Sequence, residues 1–179
     1  TLLTCTWSLY VYSVLTDLVI ETSIGFYINP LVSVMFGFFF LKERLNRWQT
    51  LAIALAFAGV ANLVWNFGTW PWIALGLAFS FGFYGLLRKI APVAPLIGLT
   101  VETLLLTPVA LLAIGYWVWD GSSHFGKDGW LDLLYLGSGV VTALPLLWFA
   151  NAAKRLRLST VGLFQYLAPS IQLVLAIYF

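Results

Sequence analysis

Two short polar-aromatic motifs and one carboxylate stand inside long apolar runs, with a second carboxylate at the mouth of one, and they are the residues of this sequence best suited to chemistry. The motifs are Tyr27-Ile28-Asn29-Pro30 and Tyr166-Leu167-Ala168-Pro169, 139 residues apart. A helical proline cannot donate to the carbonyl four residues back, so Pro30 frees the Phe26 carbonyl and Pro169 frees that of Gln165. In lipid a freed carbonyl must find a partner, which puts each motif against protein or a wet cavity. Tyr27 and Tyr166 each stand three residues before the proline, on roughly its face. Asn29, Ser33, Gln165 and Gln172 add neutral hydrogen-bonding groups at comparable depth. Such a set can hold a small solute by hydrogen bonds and ring faces. The same residues also fit two packing helices whose polar groups bond to neighbours.

The carboxylates are Glu102 and Glu21. Glu102 lies about seven residues into an apolar run, where an ionisable group is costly and marks function by default. It is either a proton carrier or the partner of Arg88 or Lys89. Glu21, at the mouth of another run, is either a helix N-terminal acid beside the candidate caps Thr22 and Ser23, or a gating or proton-coupling group. Tyr84 and Trp148 complete the candidate cavity set, although membrane tryptophans more often sit in interfacial belts. The stripes Gly76, Ser80, Tyr84 and Ala54, Ala58, Asn62 read as helix packing. No catalytic or metal site and no cofactor is expected: there is no H-E-x-x-H, no Gly-rich phosphate loop and no Cys/His cluster. The lone histidine, His124, reads as a solvated loop residue, and the lone Cys5 excludes an internal disulfide.

The elements that must position these residues are membrane helices. The chain of 179 residues is 61% hydrophobic and only 9% charged, with a mean hydropathy of +0.95, far from a soluble domain. A net charge of +2 gives no reason to expect nucleic acid as a partner; the bilayer is the expected one. Seven apolar segments can be drawn: Thr1 to Thr16, Thr22 to Leu41, two within Trp48 to Leu87 joined by a turn at 66–71, Leu96 to Trp119, Leu133 to Ala153, and Leu158 to the end. A span needs roughly 20 residues. The first and last look cut, so the chain reads as an internal fragment.

Charge orients the spans. Eight of the nine Lys/Arg fall in the loops 42–47, 88–95 and 154–157. Alternating spans put all three on one face, and the positive-inside rule makes that face cytoplasmic. The seventh span is five on from the second, an odd number, so the two proline motifs enter the bilayer from opposite sides. Both prolines then lie roughly 13–18 Å deep, near the midplane. The expected fold class is an all-α polytopic membrane protein with an inverted-repeat helical bundle, residues 1–66 in one repeat and 71–179 in the other. Inverted repeats with interrupted helices at mid-membrane are a transporter architecture.

Several runs resemble one family. Glu21-Thr22-Ser23-Ile24-Gly25-Phe26-Tyr27-Ile28-Asn29-Pro30-Leu31 is similar to the fourth-helix motif of RarD-type permeases, in the EamA group of the drug/metabolite transporter superfamily. Lys42-Glu43-Arg44 resembles the family's pattern at that helix end. Ala74-Leu75-Gly76-Leu77-Ala78-Phe79-Ser80-Phe81 resembles its sixth helix, and Arg155-Leu156-Arg157-Leu158-Ser159-Thr160 with Phe164-Gln165-Tyr166 and Pro169 its ninth. The resemblance implies ten helices in a 5+5 arrangement, of which helices 3 to 9 are here. It also implies a bacterial inner-membrane permease or exporter for small solutes such as amino acids, metabolites or drugs, with protons as candidate partners. Alternating access would centre on a midplane cavity holding Tyr27, Asn29, Gln165 and Tyr166. The reading from another class is a membrane scaffold or accessory subunit without transport; an intramembrane enzyme lacks a catalytic constellation.

Overall fold

The computed structural model describes residues 2–121 and 126–178. His124 and the side chain of Gln172 lie outside the described residues. Helices account for the ordered secondary structure of the described residues: α1 (Leu2–Leu15), α2 (Val19–Phe39), α3 (Arg47–Phe67), α4 (Trp72–Ile90), α5 (Pro95–Trp119), α6 (Gly129–Arg155), α7 (Leu158–Gln165) and α8 (Leu167–Tyr178). Five of them, α2 to α6, are long and apolar enough to cross a bilayer. The chain is therefore an all-α, multi-pass membrane protein.

The expected spans match these helices with two instructive differences. α6 begins at Gly129 rather than Leu133, because the Asp128 carboxylate accepts the Trp130 N–H at 2.9 Å and starts the helix early. The seventh span divides at Tyr166, whose N–H turns back to the Leu163 carbonyl at 3.3 Å. That tightened turn stands just before Pro169, which has no N–H for the Gln165 carbonyl. α2, by contrast, passes through Pro30 as a single helix. Proline's fixed φ is compatible with a helix, and here the surrounding turn is buried on both sides of it.

The chain forms two compact units, residues 1–91 with 152–179, and residues 92–151. In the first, α2 is the central element. Ile24, Ile28, Val32 and Phe36 recur every four residues and are buried with Ala74, Ala78 and Leu86 of α4 and Leu158 of α7. With no water to expel, helices in a membrane hold together by close packing, so small residues stand at the crossings. A Cβ on Gly25 would lie 3.1 Å from the Ala74 backbone, and one on Gly82 would lie 2.7 Å from Val32. Phe36 packs on Phe83 with tilted rings, centroids 4.5 Å apart.

The order of these contacts gives the directions. Along α2, residues 25, 32 and 36 meet residues 74, 82 and 83, so α2 and α4 run parallel. Residues 27, 29 and 37 meet 166, 165 and 159, so α7 runs antiparallel to α2. The two proline motifs thus enter from opposite ends. α3 buries none of its residues, and Trp65 is 87% exposed. Ala54 and Ala58, read from sequence as packing residues, are exposed on it.

The second unit holds α5 and α6 up to residue 151. Its side chains are mostly apolar and outward-facing, such as Leu112, Val141 and Leu136. Thr100, Thr103 and Thr107 return their hydroxyls to the carbonyls four residues back, which satisfies them without a neighbouring helix.

Candidate functional site

The two motifs meet. The Tyr166 hydroxyl donates to the Tyr27 carbonyl at 3.1 Å, joining equivalent residues across the antiparallel α2–α7 crossing. One turn along, Asn29 Nδ2 and the Ser33 hydroxyl both donate to Gln165 Oε1, each at 3.4 Å. The crossing is close because residue 162 is glycine: a Cβ there would stand 2.9 Å from the Pro30 carbonyl oxygen and 3.1 Å from Ser33 Cβ. Two buried polar atoms at this crossing, Asn29 Oδ1 and Gln165 Nε2, have no hydrogen-bond partner among the described residues. One is an acceptor and the other a donor. Buried groups of this kind carry a desolvation cost unless something pairs them.

Beside the crossing lies a cavity of about 740 Å³. Tyr27 of α2, Ala56 and Gly59 of α3, and Leu163, Tyr166 and Ser170 of α7 and α8 form its wall. A second hollow of about 570 Å³, between α2 and α3, shares Tyr27 and Gly59 and adds Ser23, Asn62 and Asn66. Among the described residues, neither wall carries a charged side chain. A cavity of this size takes a small organic molecule. Rings, hydroxyls and amides without fixed charge suit a neutral or zwitterionic one.

The other sequence candidates stand outside these two walls. Pro30 and Pro169 are buried, Pro30 under Gly162. Tyr84 is buried in α4, its hydroxyl accepting from Arg88 Nε at 3.0 Å and its ring under the guanidinium. Gly76 packs on Leu9, and Ser80 pairs with the Thr6 hydroxyl at 2.9 Å, as close packing of α1 on α4 requires. Glu21 accepts the Ile73 N–H at 3.2 Å, so its carboxylate serves the first turn of α4. Glu102, on α5, and Trp148, on α6 and 69% exposed, belong to the second unit.

Sequence reasoning passed over Glu43. It follows Lys42, which takes the left-handed conformation (φ +52°), and its N–H closes the end of α2 on the Gly37 carbonyl at 3.0 Å. Its side chain then caps α7. One oxygen accepts the Leu158 N–H at 2.7 Å; the other accepts the Ser159 N–H at 2.9 Å and its hydroxyl at 2.6 Å. Lys89 Nζ lies 3.7 Å away and also donates to the Ala153 carbonyl at 3.2 Å and to that of Leu156. Arg157 donates to the Arg44 carbonyl at 3.1 Å. Glu43, Arg44, Lys89 and Arg157, one or more from each basic loop, therefore gather at one end of the first unit. An acid directly after a long apolar run, with a Ser-Thr pair opening the helix after another basic loop, was the available signal.

Burial raises the Glu43 carboxyl's pKa, but the Ser159 hydroxyl, the Ser159 and Leu158 N–H groups and Lys89 outweigh it and hold it below its ordinary 4.5. A folded-state value below the unfolded one adds stability above the ordinary carboxylate range, and that stability is lost as pH falls through the lowered value. The thermal midpoint should accordingly drop on acidification below about pH 4.5. Glu43→Gln should flatten that drop, and an unchanged acid profile in the variant would show that this carboxylate does not contribute.

Residues 1–65 match the EamA-like transporter family. Protein RarD of Salmonella typhi is 48% identical over 174 residues, covering 97% of this chain and 59% of the relative. An uncharacterized transporter, YojE, of Bacillus subtilis is 46% identical over 179 residues, 99% of this chain and 59% of the relative. A chloramphenicol-sensitive protein RarD of Pseudomonas aeruginosa is 31% identical over 173 residues, 97% of this chain and 58% of the relative. No solved structure matches the chain. The chain spans a little under three fifths of the length of these relatives. Sustained likeness to RarD proteins along nearly every residue, with the family match over the first third, makes this chain a member of the EamA-like transporter family, of RarD type.

Proposed function

We propose that the whole protein is a permease for small neutral or zwitterionic organic solutes, and that Tyr27, Asn29, Gln165 and Tyr166 contact the solute. The observation that carries this reading is the meeting of the two motifs beside an uncharged cavity of about 740 Å³. Residues 1–66 and 71–179 are read as parts of two inverted repeats, which α2 and α7, running antiparallel, support. Alternating access follows if one repeat rocks against the other around this crossing. The gathering of first-unit residues from all three basic loops at one end supports placing the loops 42–47, 88–95 and 154–157 on the cytoplasmic side. Amino acids and metabolites fit the uncharged wall. Chloramphenicol joins the solutes to be tried, because one relative is named for sensitivity to it.

The test is uptake by the full-length protein in proteoliposomes. A labelled amino-acid panel and chloramphenicol are offered with and without an imposed pH gradient, for the wild type and Glu102→Gln. At least one solute should enter faster than into empty liposomes. Accumulation driven by the gradient and abolished by Glu102→Gln would make the protein proton-coupled with Glu102 as carrier. Equilibration indifferent to both would make it a facilitator, with Glu102 structural. No flux of any solute from well-inserted protein would favour a scaffold or accessory subunit instead.

A further inference from the structure

We propose that Glu43 is a latch joining the two repeats at the basic end of the bundle, and that solute can pass that end only when the Glu43 carboxylate releases the first turn of α7. The proposal rests on the permease reading for its consequence, but its structural content is independent of it.

The geometry is that of a contact between parts of the chain remote in sequence. Glu43 and Ser159 are 116 positions apart, and the carboxylate reaches both free N–H groups and the hydroxyl at the start of α7. The unpaired N–H groups of a helix start carry partial positive charge, so an anion seated on them is held by charge as well as by hydrogen bonds. Lys89 adds a third element, α4, by reaching both the carboxylate and the carbonyls of Ala153, in the last turn of α6, and Leu156, just past it. The seat is shaped for this acid. A Cβ on residue 37 would lie 2.8 Å from Glu43 Oε2 and 3.0 Å from the Ser159 nitrogen, so glycine is what lets the carboxylate and the helix start come together.

The same helix offers a counterpart at its other end. Glu21, in the first turn of α2, accepts the Ile73 N–H of α4. An acid therefore stands in the first turn of α2 and another in the loop just past its last turn, and each sits on the start of a helix from the second repeat. The two contacts are unequal. Glu21 makes a single bond of 3.2 Å. Glu43 makes three, of 2.6 to 2.9 Å, and has a lysine beside it. A rocking of the repeats about the Tyr27–Tyr166 crossing that opens one end must stretch the contact at that end. The stronger of the two contacts is the one at the basic end.

The test uses full-length protein without its native cysteines and with Ser170→Cys in the cavity wall, in inside-out and right-side-out vesicles. A membrane-impermeant maleimide reports which face reaches the cavity. With Glu43 intact, labelling from the basic-loop face should be slow. Glu43→Gln, which loses the charge but keeps an acceptor and so spares the fold, should raise labelling from that face about tenfold and lower it from the other. Glu21→Gln should move labelling the opposite way. Unchanged sidedness in folded Glu43→Gln protein would overturn the latch, and so would equal acceleration from both faces, which is what general loosening produces. Uptake measured in parallel separates the two ideas. Uptake with unaltered sidedness sinks the latch alone, and a shift in sidedness without uptake of any solute leaves the latch standing and removes the permease.

Discussion

Tyr166→Ala should lower solute uptake by about tenfold or more while the protein still inserts and folds. The residue lines the cavity and ties α7 to α2 through its hydroxyl bond to the Tyr27 carbonyl. The substitution removes both the ring and the bond, and tenfold corresponds to about 1.4 kcal/mol of lost interaction. Tyr166→Phe separates the contributions. It keeps the ring and loses one hydrogen bond, worth about 0.5–1.5 kcal/mol. If the ring contacts solute, Phe should retain most of the uptake that Ala loses. If Phe is as damaging as Ala, the hydroxyl is what matters. Initial rates over a range of solute concentration, normalised to protein in the membrane, make the comparison. Unaltered kinetics in Tyr166→Ala would remove the residue from the site.

Gly162→Ala should lower stability more than any other glycine-to-alanine change at the α2–α7 contact. A single methyl there meets the Pro30 carbonyl oxygen at 2.9 Å and Ser33 and Val34 side chains at 3.1 Å. The first of these is backbone and cannot rotate away, so the helices must separate or bend. Overpacking of a tight contact costs about 1–3 kcal/mol. Separation would also stretch the Tyr166–Tyr27 and Asn29–Gln165 bonds, which depend on the same approach. The control is Gly137→Ala, where a Cβ meets nothing within 4 Å. Alanine favours a helix over glycine by about 1 kcal/mol, so this variant should melt at or above the wild-type midpoint. Melting in detergent followed by size exclusion reads both. Equal midpoints for Gly162→Ala and wild type would mean that α7 does not approach α2 as closely as described.

Much of the fold was legible because a bilayer imposes simple rules on sequence. Length and apolarity mark the spans, and the basic loops alternate with them; α2 to α6 fall where those rules put them. Polar residues near helix ends were harder. Asp128 reads as loop, yet it starts α6, because an acid can be a solvated charge or a cap depending only on where its own backbone turns. Glu43 was hard to read for the same reason. As part of Lys42-Glu43-Arg44 it looks like one more loop charge, and its partners lie more than a hundred residues away. The α3 wall was missed as well. Ala56 and Gly59 carry no chemistry of their own and matter only because α2 and α8 face them.

By itself the sequence determined the class, the spans and the pair of proline motifs, since each is set by local composition and by the cost of placing polar groups in lipid. It also supplied the residues that meet at the crossing, Tyr27, Asn29, Gln165 and Tyr166. Only the tertiary structure decided which pairs touch. Tyr166 finds a carbonyl on α2, Gln165 is shared by Asn29 and Ser33, and Tyr84 goes instead to Arg88. Hydrogen bonding is short-ranged, so a difference of one helical turn in register changes every partner. The register here is fixed by small residues at the helix crossings, above all Gly162 on Pro30 and Gly37 beneath Glu43.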